Sequence, residues 1–175
     1  MKKIALFLLY LWACQVWAQM PKKPDLAWIT VGDSLYVLPV AQTQTEVKPG
    51  WKIADVAETK SKVVRYVWGA TSRQLAPSQQ PRLVLDVQRG TLHDLLIVRL
   101  DAKKSYRKFP KPDIRDCQPL YIDLTSCKIE LLPDERYAVT PLRPLKPGEY
   151  IVVNTAEDTL GDLGDREVWG FTVGK

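Results

Sequence analysis

The sequence predicts an all-β fold, a single Greek-key β-sandwich of about seven to nine strands. Three observations lead there. Short runs rich in Val, Ile, Leu and aromatic residues recur along the chain with Gly, Pro, Asn and Asp between them, at roughly 8–15-residue intervals. No stretch of about twelve residues or more places apolar side chains at helical spacing between caps. At 145–150 a Leu-Lys-Pro-Gly-Glu-Tyr segment runs into Ile151-Val152-Val153, a turn that feeds a tyrosine and then a β-branched strand.

Taken in order, residues 26–31 and 34–40 are short apolar runs on either side of Gly32-Asp33, and they predict a hairpin. Residues 41–46 (Ala-Gln-Thr-Gln-Thr-Glu) are polar and read as a loop or a solvated edge. Pro49-Gly50 marks a turn, residues 51–57 alternate weakly, and 58–62 read as a charged turn. Residues 63–68 (Val-Val-Arg-Tyr-Val-Trp) are a strand by residue type, and 69–81 a loop. Residues 82–87 predict a further strand, and Arg89-Gly90-Thr91 a turn. Residues 95–100 (Leu-Leu-Ile-Val-Arg-Leu) have the apolar character of a buried central strand. In 101–115, Pro110 and Pro112 argue against a continuous central strand. Short strands follow at 120–124, 128–132, 150–154 and 168–173, with 136–142 leading to the corner at 145–150 and an acidic loop at 155–166.

Pro147 suits the second position of a turn, and Gly148 can take positive φ at the third. Tyr150 then opens the next strand, where its hydroxyl can return to the backbone a few residues upstream. This Leu-x-Pro-Gly-x-Tyr spacing resembles the tyrosine corner of immunoglobulin-like and fibronectin type III-like domains. The resemblance covers six residues and the strand after them, and it implies architecture alone. It departs from the antibody pattern, because Val152 stands where a cysteine would follow the tyrosine, so the inter-sheet disulfide is missing.

The N-terminus points to export. Met1-Lys2-Lys3, an apolar run over 4–13 and Val16-Trp17-Ala18 make a secretory signal with cleavage after Ala18. Residues 1–18 are then a signal peptide, 19–25 an extended leader and 26–175 the folded domain, placed in the periplasm or outside a bacterial cell. A lipoprotein signal competes, with Leu11-Trp12-Ala13-Cys14 as the attachment site, although Trp12 suits it poorly. Contact with a membrane is expected only if Cys14 carries a lipid. The formal charge of +5 falls to +3 without Lys2 and Lys3, which leaves little case for nucleic acid as partner. Cys117 and Cys127 are the cysteines left after the signal. In an oxidising compartment they predict a disulfide, worth about 2–3 kcal/mol in the chain-entropy picture.

Candidate chemistry is sparse. His93-Asp94 juxtaposes the only histidine and a carboxylate, but a triad needs a nucleophile and an orienting acid that are not sequence neighbours. Glu157, Asp158, Asp162 and Asp165 offer oxygen ligands for calcium, without the spacing of an EF-hand loop. No metal, cofactor or catalytic residue is assigned. Lys103, Lys104, Arg107, Lys108 and Lys111, interleaved with Tyr106 and Phe109, can bind a polyanion or can be a solvated edge. In an exported protein that polyanion is a lipopolysaccharide phosphate, an acidic glycan or an acidic protein surface, sooner than nucleic acid. Arg73 closes a small-residue loop that can hold a carboxylate, and Trp51 is the tryptophan expected to be exposed, with Trp68 and Trp169 expected in the core. These features describe a non-enzymatic binding or structural module whose partner is a protein or glycan. A lipid-anchored assembly or chaperone-like factor acting through a strand edge is the alternative, and an enzyme a third, weaker one.

Overall fold

A computed structural model describes residues 26–48, 62–87, 92–155 and 167–174. Among the described residues thirteen strands run in the order β1 (Leu26–Val31), β2 (Ser34–Val37), β3 (Val40–Lys48), β4 (Lys62–Trp68), β5 (Leu75–Ala76), β6 (Leu83–Asp86), β7 (Leu95–Ala102), β8 (Tyr106–Lys108), β9 (Leu120–Tyr121), β10 (Cys127–Leu131), β11 (Tyr137–Pro141), β12 (Gly148–Asn154) and β13 (Glu167–Val173). Two single-turn 3₁₀ helices, Leu92–Asp94 and Arg115–Cys117, are the helical elements among the described residues. The all-β class holds.

The layers differ from two open sheets. One sheet has five antiparallel strands in the order β10-β11-β6-β1-β2. In the other, β12, β13, β3, β4, β8 and β7 pair in turn, and β7 pairs back with β12, so six strands close into a barrel. Two strands carry the closure. β3 pairs with β13 through Val40, Ala41 and Gln42, then with β4 from Thr43 to Lys48. β7 pairs with β12 from Leu95 to Leu100, then with β8 through Asp101 and Ala102. Each strand leaves one neighbour and takes another along its length, which turns the sheet back on itself and removes its edges.

Residues 41–46, expected as a loop or solvated edge, are thus the middle of a barrel strand. Their Gln-Thr alternation suits that place: Thr43 points inward at 1% exposure, and Gln42 and Glu46 face out. The segment at 69–81 is a loop apart from β5, which pairs parallel to β13.

Two apolar clusters share the barrel wall. Between the five-stranded sheet and the barrel lie Ile29, Leu83, Leu85 and Val139 from the sheet, and Ile97, Tyr150, Val152, Trp169 and Phe171 from the barrel. Inside the barrel lie Val67, Leu96, Val98, Leu100, Phe109, Ile151, Val153 and Val168. Strands β7, β12 and β13 therefore bury both faces, which is why they read as near-continuous apolar runs. Each fully buried aliphatic side chain contributes about 1.5–3 kcal/mol.

The corner at 145–150 forms a local lock. Tyr150 Oη donates to Lys146 O at 2.7 Å, and its ring stacks on Phe171 with centroids 5.5 Å apart. Gly148 sits at φ +155°, and a Cβ there would meet Arg99 Nε at 2.8 Å. The same guanidinium donates through Nη2 to Pro147 O (2.8 Å), so an arginine replaces the space of a side chain at the turn.

The expected Cys117–Cys127 bridge is absent, and both residues are free thiols. They belong to different layers. Cys127 is buried in the cluster between sheet and barrel, with Sγ 3.8 Å from Tyr121 O. Cys117 packs against the barrel interior, with Sγ 3.4 Å from Asp113 O and 3.5 Å from Lys111 O.

Candidate functional site

The basic stretch expected to face solvent divides by strand parity. In β8, Tyr106 and Lys108 lie on the outer side and Arg107 points into the barrel, where it is 4% exposed. Arg107 is therefore not available as a surface contact for a polyanion. Its Nε donates to Gly69 O (3.2 Å) and its Nη2 to Trp68 O (3.4 Å). Its Nη1 lies 3.8 Å from Glu149 Oε2, an ion pair without a hydrogen bond. Burial pushes the guanidinium below its usual range, and Glu149 pulls it part of the way back.

Glu149 is held by other donors. Ser72 N donates to Oε2 (2.7 Å) and Thr172 Oγ1 to Oε1 (2.8 Å). Ser72 sits in the loop between β4 and β5, so the carboxylate draws that loop over the end of the barrel. Gly170 makes room for the group: a Cβ there would lie 3.0 Å from Arg107 Nη1 and 3.1 Å from Ser72 Oγ, the two polar atoms of this cluster that lack a hydrogen-bond partner. Below this polar plug the barrel is filled mostly by apolar side chains, with Thr43 and Arg65 also turned inward.

On the outer face of β4 and β8 stand Tyr66, Trp68 and Tyr106. Ring centroids are 5.4 Å apart for Tyr66–Trp68, 5.5 Å for Tyr66–Tyr106 and 6.4 Å for Trp68–Tyr106. The indole stands nearly perpendicular to both phenols, at 85° and 81°. Trp68, expected in the core, is 56% exposed, because Arg65 and Val67 take the inward positions of β4 and Tyr66 and Trp68 the outward ones. Its Nε1 donates to Gln44 Oε1 at 2.7 Å, which fixes the plane of the ring.

Lysines border this face. Lys108 pairs in register with Tyr66 on one side and Asp101 on the other. Lys103 and Lys104 are exposed in the turn from β7 to β8. Ser105 O of that turn accepts Gly69 N at 3.0 Å, which sets the turn beside Trp68. Lys111 is exposed beyond Phe109, which enters the barrel, and Arg73 is exposed on the loop that Glu149 holds. The structure thus puts Lys108 on the outer face of β8 with an aromatic cluster that sequence reasoning missed, sets Lys103 and Lys104 in the adjoining turn, and sends Arg107 elsewhere. The signal for that face was the every-second-residue spacing of Tyr66 and Trp68.

Trp51 and the acidic residues Glu157, Asp158, Asp162 and Asp165 lie outside the described residues. Among the described residues no cluster of three His, Cys, Asp or Glu could hold a metal ion. His93 is exposed, with Nε2 4.0 Å from Asp94 Oδ1. Comparison with protein-family models, curated proteins and solved structures finds no match to this chain.

Proposed function

We propose that this chain is an exported, non-enzymatic envelope protein that binds an anionic partner on the outer face of β4 and β8. The observation that carries this reading is the placement of Lys103, Lys104 and Lys108 around an exposed aromatic face on a barrel whose interior is filled. Flexible lysine heads raise the local concentration of a polyanion and are screened by salt. The likeness to immunoglobulin-like domains enters at the corner of 145–150 alone and adds nothing about the ligand. The test compares capture of polyanions by the wild type with capture by the Lys103→Glu, Lys104→Glu, Lys108→Glu variant at low and high salt. Capture lost both on reversal and at high salt supports the reading, and capture indifferent to both refutes it.

A second reading rests on β2. This strand pairs with β1 on one side, and among the described residues no strand covers its other side. Leu35, Tyr36 and Val37 are exposed along it. The opposite edge of the same sheet is guarded by charge: Glu130 on β10 pairs with Lys128 (2.7 Å) and Arg82 (2.9 Å). An unguarded edge suits addition of a partner's strand, the behaviour of an envelope assembly factor. Val37→Lys would abolish such an interaction and leave polyanion capture intact. Mass spectrometry of the processed chain decides anchoring, since an N-terminus at Gln19 means a soluble form and a diacylglyceryl group on Cys14 a tethered one.

A further inference from the structure

We propose that the anionic partner is an acidic glycan, whose sugar rings rest against Trp68, Tyr66 and Tyr106 while its carboxylate or sulfate groups meet Lys103, Lys104 and Lys108. This inference rests on the anion-binding reading above and names the ligand class.

The aromatic face has the properties of a sugar seat. A pyranose ring presents C–H groups on its faces and hydroxyls at its rim, so it is attracted to a π-surface and still needs polar partners around the edge. Trp68 offers an exposed indole, and the two phenols stand nearly perpendicular to it. A sugar ring can lie on one wall and touch the other with its rim. The corner is also preorganised. The hydrogen bond from Trp68 Nε1 to Gln44 Oε1 fixes the indole. The backbone beneath it is fixed by the donations of Arg107 to Trp68 O and Gly69 O. Little side-chain freedom is lost when a ligand settles there.

The charges around the corner distinguish a glycan from a nucleic acid. Among the described residues the cations placed on this face are Lys103, Lys104 and the half-buried Lys108, which act as separate point charges, while Arg107, the guanidinium of β8, is turned into the barrel. Forked recognition of phosphate by the arginine of β8 is therefore not offered here. Asp101, in register with Lys108, also thins the positive field. Dispersed carboxylates or sulfates on a polymer of rings match such a surface. A densely charged phosphodiester chain, which needs a continuous basic groove, does not.

The experiment is affinity electrophoresis and calorimetry of the full-length exported protein with four probes: oligogalacturonate, its methyl-esterified neutral counterpart, inorganic polyphosphate and oligo-dT. The variants are Trp68→Ala and the Lys103→Ala, Lys104→Ala, Lys108→Ala triple, each checked for native melting. The proposal expects oligogalacturonate to bind and its neutral ester to bind more weakly. Trp68→Ala should weaken binding by about 5- to 150-fold, the range a lost stacking contact gives, without changing its salt dependence. The lysine variant should flatten that dependence. If oligogalacturonate and polyphosphate bind alike and Trp68→Ala changes neither, the glycan proposal is overturned and the anion-binding reading stands. Preference for oligo-dT overturns the glycan proposal in favour of single-stranded nucleic acid. If no polyanion binds, both readings fall.

Discussion

Removing the charge of Glu149 is the sharpest perturbation the fold offers. The carboxylate and the Arg107 guanidinium are each 5% exposed and 3.8 Å apart. At an effective dielectric of about 20, two unit charges at that separation attract by about 4 kcal/mol. Breaking a buried pair from one side costs about 3–5 kcal/mol, because it strands the other charge. Glu149→Gln keeps the volume, and its single amide oxygen can still accept from Ser72 N while its NH2 faces Thr172 Oγ1, whose hydroxyl can turn to Ser72 O, so its loss reports the charge together with one rearranged contact. We expect Glu149→Gln to destabilise by about 3–4 kcal/mol. For a domain of this size that lowers the melting temperature by roughly 6–16 °C. Arg107→Met should cost a similar amount. The double variant should lose much less than the sum of the two, with a coupling of about 2–3 kcal/mol, the upper part of the range for residues in contact. Urea unfolding followed by circular dichroism and tryptophan fluorescence measures all four proteins, and an unchanged m-value is the control for two-state behaviour. Two single losses below about 1 kcal/mol that simply add would refute the argument, and would mean the plug holds the barrel by shape and not by charge.

Three further outcomes follow from named contacts. Gly170→Ala should cost about 1–3 kcal/mol as overpacking, because the new Cβ meets Arg107 Nη1 at 3.0 Å and the rest of that guanidinium is already held by Trp68 O and Gly69 O; a neutral result in urea unfolding would show that the plug yields. Tyr150 is raised above the ordinary phenol range, chiefly by burial, so its contribution is complete below about pH 10 and is lost as pH rises through the higher folded value. Tyr150→Phe should cost about 1 kcal/mol and remove a phenol that titrates above the ordinary range from an absorbance titration at alkaline pH; if the phenol it removes titrates in the ordinary range, burial is not holding Tyr150 neutral. Burial pushes the Cys127 thiol up to about 11 and also raises Cys117, so both should react slowly with iodoacetamide at pH 8 in the native state and readily in denaturant. A non-reduced digest that yields a linked Cys117–Cys127 peptide would contradict the free thiols.

The parts of the fold legible in the sequence were those whose residue types answer to one environment. Strands β7, β12 and β13 lie between two apolar clusters and bury both faces, so they read as apolar runs whatever sits beside them. The hairpin at Gly32-Asp33 and the corner at Tyr150 were legible because turn chemistry is local. β3 was not. It is a barrel strand whose inward side accepts a threonine, Thr43, and whose outward side is glutamine and glutamate, so hydrophobic patterning has nothing to register. Closure itself was invisible, since it depends on β3 and β7 changing partners partway along. The cysteines failed for a related reason: ten residues of separation in sequence say nothing about which side of the barrel wall each thiol faces.

β8 shows how these failures bear on function. A run containing Lys103, Lys104, Arg107 and Lys108 looks like one basic patch, and a charge reversal across it looks like one experiment. Three residues of strand divide it. Lys108 joins Tyr106 on the surface, and Arg107 enters the barrel, where it balances Glu149 and donates to the carbonyls of Trp68 and Gly69. Reversing Arg107 would put two negative charges in the plug and release the backbone under the exposed indole. Binding would then fall through loss of structure, whatever the lysines do. The surface hypothesis is tested only by variants that leave Arg107 alone, and the plug only by variants that leave the lysines alone. If Glu149→Gln lowers stability but the folded fraction still binds acidic glycan with wild-type affinity, plug and platform are separable. A fall in affinity at full occupancy of the folded state would instead show that the buried pair sets the position of Trp68 as well as the closure of the barrel.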